Sequence, residues 1–259
     1  GSRAPAPRGH PERAKAVSTT EAPRTRLKPQ VYRDPRPAEH FARYHRRARE
    51  RGPDWVYELC RFVLTPYIAG VYRARARGIA NVPPWGPAIV APNHFSFLDH
   101  FFIAVYLRRK VRFVAKSQLF KPPLDFILSH GGAFPIRRGV VDEEAFTTAH
   151  TVLRQGGLVV MYAEAGRSRT GELGRPRWGL GRLALESGVP VVPTAIVGTE
   201  RARDWRRLRF PQVTIAFGEP LAFERVERPR RQQSQRASEI VFDRVRALHS
   251  QLRAEHAVR

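Results

Sequence analysis

The hydrophobic pattern from residue 88 onward alternates between short apolar runs and longer amphipathic segments. Turn-forming residues bound each short run, which is typical of buried β-strands. The strands predicted in this way are residues 88–91, 111–115, 132–136, 158–162, 189–197 and 213–217. The segments with helical spacing are residues 97–108, 143–154, 178–186 and 237–254. Strands that alternate with helices predict an α/β fold, a single sandwich domain with a mostly parallel mixed sheet flanked by helices.

Residues 51–80 carry a separate amphipathic pattern, for which two interpretations remain open. The apolar side chains at helical spacing are Trp55, Leu59, Phe62, Val63 and Tyr67. Pro66 is expected to kink this helix or to begin a second helical segment over residues 67–75. Such a helix packs against the core in most globular proteins. Its aromatic side chains and basic end also suit amphipathic helices that lie in a membrane interface.

The segments on either side of this region complete the predicted organisation. Residues 1–50 are rich in Pro, Ala and Arg and poor in large apolar side chains, which predicts a disordered basic tail. The α/β domain is assigned to residues 81–224. Residues 225–259 follow as a basic linker and a C-terminal helix, with the linker predicted over residues 225–236.

The charge of the chain narrows the choice of partners. Its 259 residues contain 46 Lys and Arg against 23 Asp and Glu, a formal net charge of +23. Such a surface attracts polyanions, so the candidate partners are nucleic acid, an anionic membrane and a phosphorylated substrate. The single cysteine, Cys60, excludes an intramolecular disulfide and a Cys-rich zinc site. No apolar run approaches the ~20 residues that span a bilayer, so we expect a protein that does not cross a membrane.

A histidine and an aspartate stand where the first of these strands gives way to a helix. His94 and Asp99 belong to the stretch Asn-His-Phe-Ser-Phe-Leu-Asp, and an exposed side chain at that point can reach a ligand. His94 is therefore a candidate general base, with Asp99 fixing its tautomer and stabilising the imidazolium. The alternative is structural: Ser96 and Asp99 are spaced as a helix capping box, with His94 a hydrogen-bonded loop residue.

Cationic side chains follow three of the other predicted strands. Lys116 closes one strand, Arg137 and Arg138 follow the next, and Glu164 and Arg167 lie on a glycine-bearing turn after a third. Each could be a solvated loop charge. Together, beside a candidate base, they predict a pocket that binds an anion, with phosphate as the first candidate because guanidinium and ammonium groups bind it with charge-assisted hydrogen bonds.

In this order, these residues resemble the glycerolipid acyltransferase family, which includes the 1-acylglycerol-3-phosphate acyltransferases that make phosphatidic acid. The resemblance covers residues 55–220, and the family's first motif, Asn-His-x-Ser-x-x-Asp, is matched in full. It implies that His94 deprotonates the acceptor hydroxyl, which attacks the thioester of an acyl donor, and that Asp99 orients His94. The chain has no Gly-x-Ser-x-Gly elbow and no suitably placed cysteine, so an acyl-enzyme is not expected.

The same resemblance implies roles for the cations and the later turn. Lys116 and Arg138 would hold the phosphate of the acceptor, while Arg137 stands where the family often has an acidic residue. The third motif, usually Phe-Pro-Glu-Gly-Thr-Arg-Ser, is met only in part. Glu164, Arg167 and Ser168 are kept, whereas Tyr162, Ala163, Ala165 and Gly166 replace the other residues. Glu164, Gly166, Arg167 and Ser168 are counted with the substrate-binding residues. The fourth motif, Val-Pro-x-x-Pro, is met by Val189, Pro190 and Pro193.

The resemblance implies an acyltransferase that uses no cofactor. Acyl-CoA or acyl carrier protein would be the donor co-substrate and a lysophosphatidic acid-like glycerolipid phosphate the acceptor. We expect a peripheral protein on the cytoplasmic side of an anionic membrane. The alternative acceptors are another lysophospholipid and glycerol phosphate. A basic nucleic-acid-binding protein is the rival class, but no aromatic residues interleave with the arginines as such proteins require. The altered third motif also leaves open a degenerate family member that serves as a scaffold.

Overall fold

A computed structural model describes Gly1 and residues 33–164, 166–168, 171–202 and 210–257 of the chain. Every helix and strand described lies in one compact unit, Val31–Arg259. The helices are α1 (Ala42–Glu50), α2 (Trp55–Gly70), α3 (Asp99–Tyr106), α4 (Leu124–His130), α5 (Glu143–Arg154), α6 (Trp178–Ser187) and α7 (Arg231–Ala257). The strands are β1 (Arg75–Arg77), β2 (Ala88–Pro92), β3 (Val111–Lys116), β4 (Ala133–Ile136), β5 (Leu158–Val160), β6 (Val191–Val197) and β7 (Thr214–Phe217). Short 3-10 helices cover Ala38–Phe41, Ile79–Asn81 and Ser117–Leu119.

The strands form one seven-stranded sheet in the order β1-β7-β6-β2-β5-β3-β4. Within the described residues only the β6–β7 strand pair is antiparallel, and the other neighbouring strands run parallel. All six predicted strands are present, and the predicted α/β class with a mostly parallel mixed sheet is confirmed. The short strand β1 was not predicted because its three residues are Arg-Ala-Arg at the sheet edge.

Helices cover both faces of the sheet. Along β2, Ala88 and Val90 join one apolar cluster, which also contains Phe102 of α3. The alternate residues Ile89 and Ala91 join a second cluster, together with residues of α5, α6 and α7. Because successive strand side chains point to opposite faces, a strand covered on both sides has to be continuously apolar. This explains why the central strands were the easiest elements to predict.

The order of the strands brings together the loops on which the sequence concentrates its charged residues. Strands β2, β5, β3 and β4 are consecutive neighbours and run in the same direction. Their carboxyl ends therefore lie along one edge of the sheet, where ligand sites of open α/β sheets gather. The ends of these strands and the segments that follow them carry His94, Lys116, Arg138 and Glu164.

Two boundary predictions are wrong. Residues 38–50 form the first 3-10 helix and α1 instead of continuing a disordered tail, because Phe41, Tyr44 and Ala48 provide an apolar stripe that is buried. The predicted tail over residues 2–32 lies outside the described residues. Helix α7 begins at Arg231, so the predicted linker over residues 225–236 is helical in its second half.

Helix α2 bears on the two interpretations of residues 51–80. It is one continuous helix with Pro66 inside it, and it ends at Gly70 instead of continuing to residue 75. The Asp54 side chain caps its N-terminus by accepting a hydrogen bond from Val56 N. The predicted apolar face is exposed, with Trp55 63% and Phe62 79% accessible, so these side chains are not part of the core. No described helix is both long enough and apolar enough to span a bilayer.

Candidate active site

Asn93 anchors the turn between β2 and α3 to the neighbouring strand β6. Its side-chain amide donates to the carbonyl of Ile196 and accepts from Ile196 N on β6, at 3.0 and 2.7 Å. The residue is fully buried. This two-way amide contact explains why an asparagine precedes the histidine, since no apolar side chain could satisfy both backbone groups at the end of β6.

His94 and Asp99 are in contact, as predicted. His94 Nδ1 lies 2.8 Å from Asp99 Oδ2, and that oxygen also accepts from Phe95 N and Ser96 N. A carboxylate oxygen only accepts, so the shared proton is on Nδ1 and the lone pair of Nε2 is left to accept another. Nε2 has no hydrogen-bond partner within the described residues. It is not fully buried either, so this nitrogen keeps some access to solvent.

The sequence predicts an exposed His94, whereas its side chain is only 7% accessible. The ring is enclosed because aromatic side chains pack against it from the end of β5 and from α3. Burial lowers the pKa of His94, and the hydrogen bond to Asp99 opposes that shift. The imidazole is therefore neutral near pH 7, which is the form a general base needs.

The capping alternative is true in part and does not compete with the catalytic one. Asp99 reaches back to Ser96 N, as the acidic residue of a capping box does, and Ser96 Oγ accepts from Leu98 N at 3.2 Å. The same Asp99 oxygen holds the imidazole. One carboxylate thus shapes the start of α3 and orients His94.

Glu164 secures the other side of the histidine turn. One carboxylate oxygen accepts from His94 N at 2.7 Å and the other from Gly174 N at 2.6 Å. Ser168 N in turn donates to the His94 carbonyl at 2.8 Å. Burial raises the pKa of Glu164 to about 7. Glu164 and Ser168 thus form hydrogen bonds with backbone groups of the protein and position the histidine turn. The sequence analysis predicted substrate binding for both residues and did not assign this positioning role.

Three of the predicted cations lie close enough to act on one another. Burial is the main cause of the lowered pKa of Lys116, and the charges of Arg138 and Arg167 lower it further. The same two charges also lower the pKa of His94. Arg137 is directed elsewhere: its backbone N–H donates to Asp142 at 2.7 Å, and its guanidinium lies 3.5 Å from the same carboxylate. Within the described residues, Lys116, Arg138 and Arg167 therefore lie close to the candidate base, His94. Gly166 lies on the same turn as Arg167.

An N-terminal clasp, defined by Asp34 and Arg36, holds the loop that follows Lys116. Arg36 donates to the carbonyls of Ser117 and Phe120, each at 2.7 Å, and Asp34 accepts from Ser117 Oγ at 2.7 Å. The two clasp residues pair with each other at 2.8 Å. Sequence reasoning found no signal for this contact, because the clasp lies in a segment that was predicted to be disordered.

Two aromatic neighbours of His94 were given no role by the sequence analysis. Tyr162 stacks on the imidazole with 4.0 Å between ring centroids, and His100 approaches it edge-on at 5.4 Å. His100 lies against Tyr162 as well, at 5.0 Å. Burial lowers the pKa of His100 to about 3, so this second histidine is neutral and is a poor proton acceptor.

An apolar cavity of about 240 Å³ is lined in part by His100. It lies between α2, α3, α4 and the adjoining strands, and its lining includes Phe97, Phe101, Phe113 and Leu128. Almost no polar surface lines it. Because His100 belongs both to the cavity wall and to the ring cluster around His94, an apolar chain in this cavity would end beside the base.

Known proteins share both the sequence and the fold of this chain. The acyltransferase family model matches residues 73–197. A chloroplast 1-acyl-sn-glycerol-3-phosphate acyltransferase from Brassica napus is 30% identical over 134 residues, covering 49% of this chain and 38% of the relative. A glycerol-3-phosphate acyltransferase from Pseudomonas syringae is 26% identical over 220 residues, covering 66% of this chain and 26% of the relative.

Among solved structures, the fold resembles that of a 1-acyl-sn-glycerophosphate acyltransferase from Thermotoga maritima. The TM-score is 0.54 at 22% identity, covering 81% of this chain and 88% of the other. At that identity the likeness supports the fold alone. The chain spans less than two-fifths of the length of the two curated relatives described above.

Proposed function

We propose that this protein, whose residues 73–197 match the acyltransferase family model, transfers a fatty acyl group from a thioester to a hydroxyl of a glycerolipid phosphate. The observation that carries the proposal is the His94–Asp99 pair, which lies near a group of cations and contacts His100, a residue of the apolar cavity wall. Relatives named for acylation of 1-acylglycerol-3-phosphate and of glycerol-3-phosphate support this acceptor class.

His94 acts as the general base of the proposed reaction. Nε2 accepts the proton of the acceptor hydroxyl while that oxygen attacks the thioester carbon, and the carbonyl π electrons move to oxygen. The tetrahedral intermediate then collapses, the carbon–sulfur bond breaks, and the departing thiolate takes the proton from His94. Asp99 stabilises the imidazolium that exists between these two steps.

The cations provide the acceptor's phosphate site. Lys116, Arg138 and Arg167 repel one another, which is part of the reason that the pKa of Lys116 is lowered. A phosphate dianion among them would relieve that repulsion and accept charge-assisted hydrogen bonds. The acceptor hydroxyl, attached to the same glycerol, would then lie near His94.

The apolar cavity receives the acyl chain of the donor in this proposal. Its apolar lining excludes the phosphorylated part of either substrate, since burying an unpaired charge there would be costly. With the chain inside, the thioester carbonyl would lie at the His100 end, next to His94. Acyl-CoA and acyl carrier protein both carry such a thioester, and either can serve as donor.

The exposed apolar face of α2 supports peripheral attachment to a membrane. Phe126 and Ile127 of α4 extend this face, at 50% and 44% accessible, and Ile127 also lines the apolar cavity. Apolar side chains that enter an interface bind more tightly when basic residues meet anionic lipid. The proposed location is the cytoplasmic side of an anionic membrane, where acyl-CoA is available.

A reaction with defined substrates tests the function. The chain would be incubated with acyl-CoA or acyl carrier protein thioester and either 1-acylglycerol-3-phosphate or glycerol-3-phosphate, with thiol release followed by absorbance and lipid products by mass spectrometry. We expect thiol release that depends on a phosphorylated acceptor, together with a product heavier by one acyl group. Thiol release of equal rate without any acceptor, and no acylated product, would contradict the proposal.

A further inference from the structure

Tyr162 has a buried hydroxyl without a partner, directly beside the proposed base. The residue is 8% exposed, and its hydroxyl oxygen is fully buried with no hydrogen bond among the described residues. Its ring lies over the His94 imidazole at 4.0 Å and 28°. A buried hydroxyl without a partner costs free energy, so the free protein gains nothing from having an oxygen at this point.

The packing of the ring does not require that oxygen. Tyr162 belongs to the apolar cluster that also contains Val160 and Phe113, and a phenylalanine would keep every one of these ring contacts. In the family motif that this segment resembles, phenylalanine is the usual residue here. The hydroxyl is therefore a departure in this chain that costs stability in the free state, which points to a partner that arrives with the substrate.

The surroundings of Tyr162 identify the substrate atom that would meet it. One neighbour is His94, which faces the acceptor hydroxyl, and the other is His100, at 5.0 Å, which belongs to the wall of the apolar cavity. The reacting carbonyl has to lie between the base and the chain-binding cavity. Tyr162 contacts both His94 and His100, so its ring lies beside that position.

We propose that the Tyr162 hydroxyl donates a hydrogen bond to the thioester carbonyl oxygen and holds it as that oxygen becomes an oxyanion. The inference rests on the proposed acyl transfer. Attack by the acceptor oxygen forms the new carbon–oxygen bond and moves the carbonyl π electrons onto oxygen. Tyr162 keeps its proton throughout. Collapse of the intermediate restores the carbonyl and expels the thiolate, which is protonated by His94.

The environment of Tyr162 suits a donor that does not ionise. Burial raises the pKa of Tyr162 well above its usual value, and the nearby Asp99 charge raises it further. The phenol therefore remains protonated across the working range of pH. A donor that is buried and already in place can stabilise the developing charge without reorganisation, which is how oxyanion holes lower a barrier.

Asp99 offers a different partner for the same hydroxyl. Asp99 Oδ1 is also buried and unpaired. If a small movement joined the two groups, Tyr162 would act through the Asp99–His94 pair as a positioning residue. In that case removal of the hydroxyl would change the pKa of His94, whereas removal of an oxyanion donor would leave that pKa where it is.

The substitution Tyr162→Phe separates these possibilities in the whole chain with acyl-CoA and 1-acylglycerol-3-phosphate. We expect kcat to fall about 10²- to 10³-fold, the loss typical of one oxyanion donor. The acid limb of the pH–rate profile should stay in place, and the melting temperature should not fall. An unchanged kcat, or a shift of the acid limb, would overturn the inference.

Tyr106→Phe is the matched control. The Tyr106 hydroxyl donates to the Ala74 carbonyl at 2.6 Å, so this variant loses a real hydrogen bond outside the site. It should lower the melting temperature and leave kcat unchanged, the opposite of Tyr162→Phe. His94→Ala distinguishes the two proposals. If that variant is inactive and Tyr162→Phe is fully active, only the Tyr162 inference fails; if His94→Ala is fully active, both fail.

Discussion

Replacing Asp99 by asparagine removes one negative charge from the site and keeps the shape of the side chain. Asp99 is fully buried, and its Oδ2 accepts from His94 Nδ1 and from the backbone N–H groups of Phe95 and Ser96. The amide oxygen of asparagine can still accept both backbone bonds. It cannot stabilise an imidazolium as a carboxylate does, so the variant tests the charge and not the packing.

The contacts of Asp99 give the expected size of the effect on stability. Hydrogen bonds to charged groups contribute about 1.5–3 kcal/mol against about 1 kcal/mol for neutral ones, so three weakened bonds lose about 1.5–6 kcal/mol in total. A neutral amide costs less to bury than a carboxylate, which offsets part of that loss. We therefore expect the free energy of unfolding to fall, by less than about 6 kcal/mol, and the urea unfolding described below verifies that the variant folds.

The effect on catalysis should be larger. In serine protease triads the corresponding Asp→Asn change lowers kcat about 10⁴-fold, and we expect a loss of about 10²- to 10⁴-fold here. The pH dependence gives a second signature. Burial lowers the pKa of His94 and Asp99 raises it, so removal of the Asp99 charge lowers the pKa further. The acid limb of kcat/KM should move to lower pH while the plateau falls.

The assay is the initial rate of thiol release across a pH series, with urea unfolding of the same preparations. Asp243→Asn is the matched control, because Asp243 is exposed on α7 and pairs with Arg246. It should leave both the plateau and the acid limb unchanged. An Asp99→Asn variant whose plateau equals that of the wild type, or whose acid limb moves to higher pH, would refute the assignment of Asp99.

Three other variants examine the phosphate site, the exposed face and the N-terminal clasp. Arg138→Ala should raise KM for the phosphorylated acceptor much more than for the acyl donor in steady-state kinetics; equal effects on both would contradict the phosphate site. Phe62→Ser should weaken flotation with anionic vesicles, and the exposed Ile240→Ser on α7 should not; equal losses would contradict attachment through α2. Asp34→Asn should lower the free energy of unfolding near pH 7 by about 1–3 kcal/mol. Because Arg36 holds the pKa of Asp34 well below its usual range, that difference should be present above the usual carboxyl pKa and shrink as the pH falls below it; a difference that does not vary with pH would contradict this account.

The central strands could be predicted because their burial on both faces leaves a continuous apolar run in the sequence. Residues such as Ile89 and Val90 contact opposite helical layers, and no alternation of polar residues interrupts them. Helix α1 could not be predicted in the same way. Only a narrow stripe of its side chains, with Tyr44 and Ala48, is buried, and the surrounding arginines dominate the composition of the segment.

The residues of the candidate site also fall into those that the sequence could predict and those that it could not. His94 and Asp99 are near in sequence, and Lys116 and Arg138 close neighbouring parallel strands, so their proximity follows from the predicted topology. Arg137 could not be separated from Arg138 on this basis, because the difference lies in the contact of Arg137 with Asp142. Tyr162 was noticed only as a departure from a motif, since its contact with His94 depends on how β5 and β2 lie beside each other.

The central claim is that His94 Nε2 takes the proton of the acceptor hydroxyl. Its most direct test is the acceptor-dependent rate of thiol release by His94→Ala, with His150→Ala on α5 as control and circular dichroism to verify the fold. We expect the rate to fall about 10²- to 10⁴-fold in His94→Ala and to remain unchanged in His150→Ala. A folded His94→Ala protein that acylates its acceptor at the wild-type rate would contradict the claim.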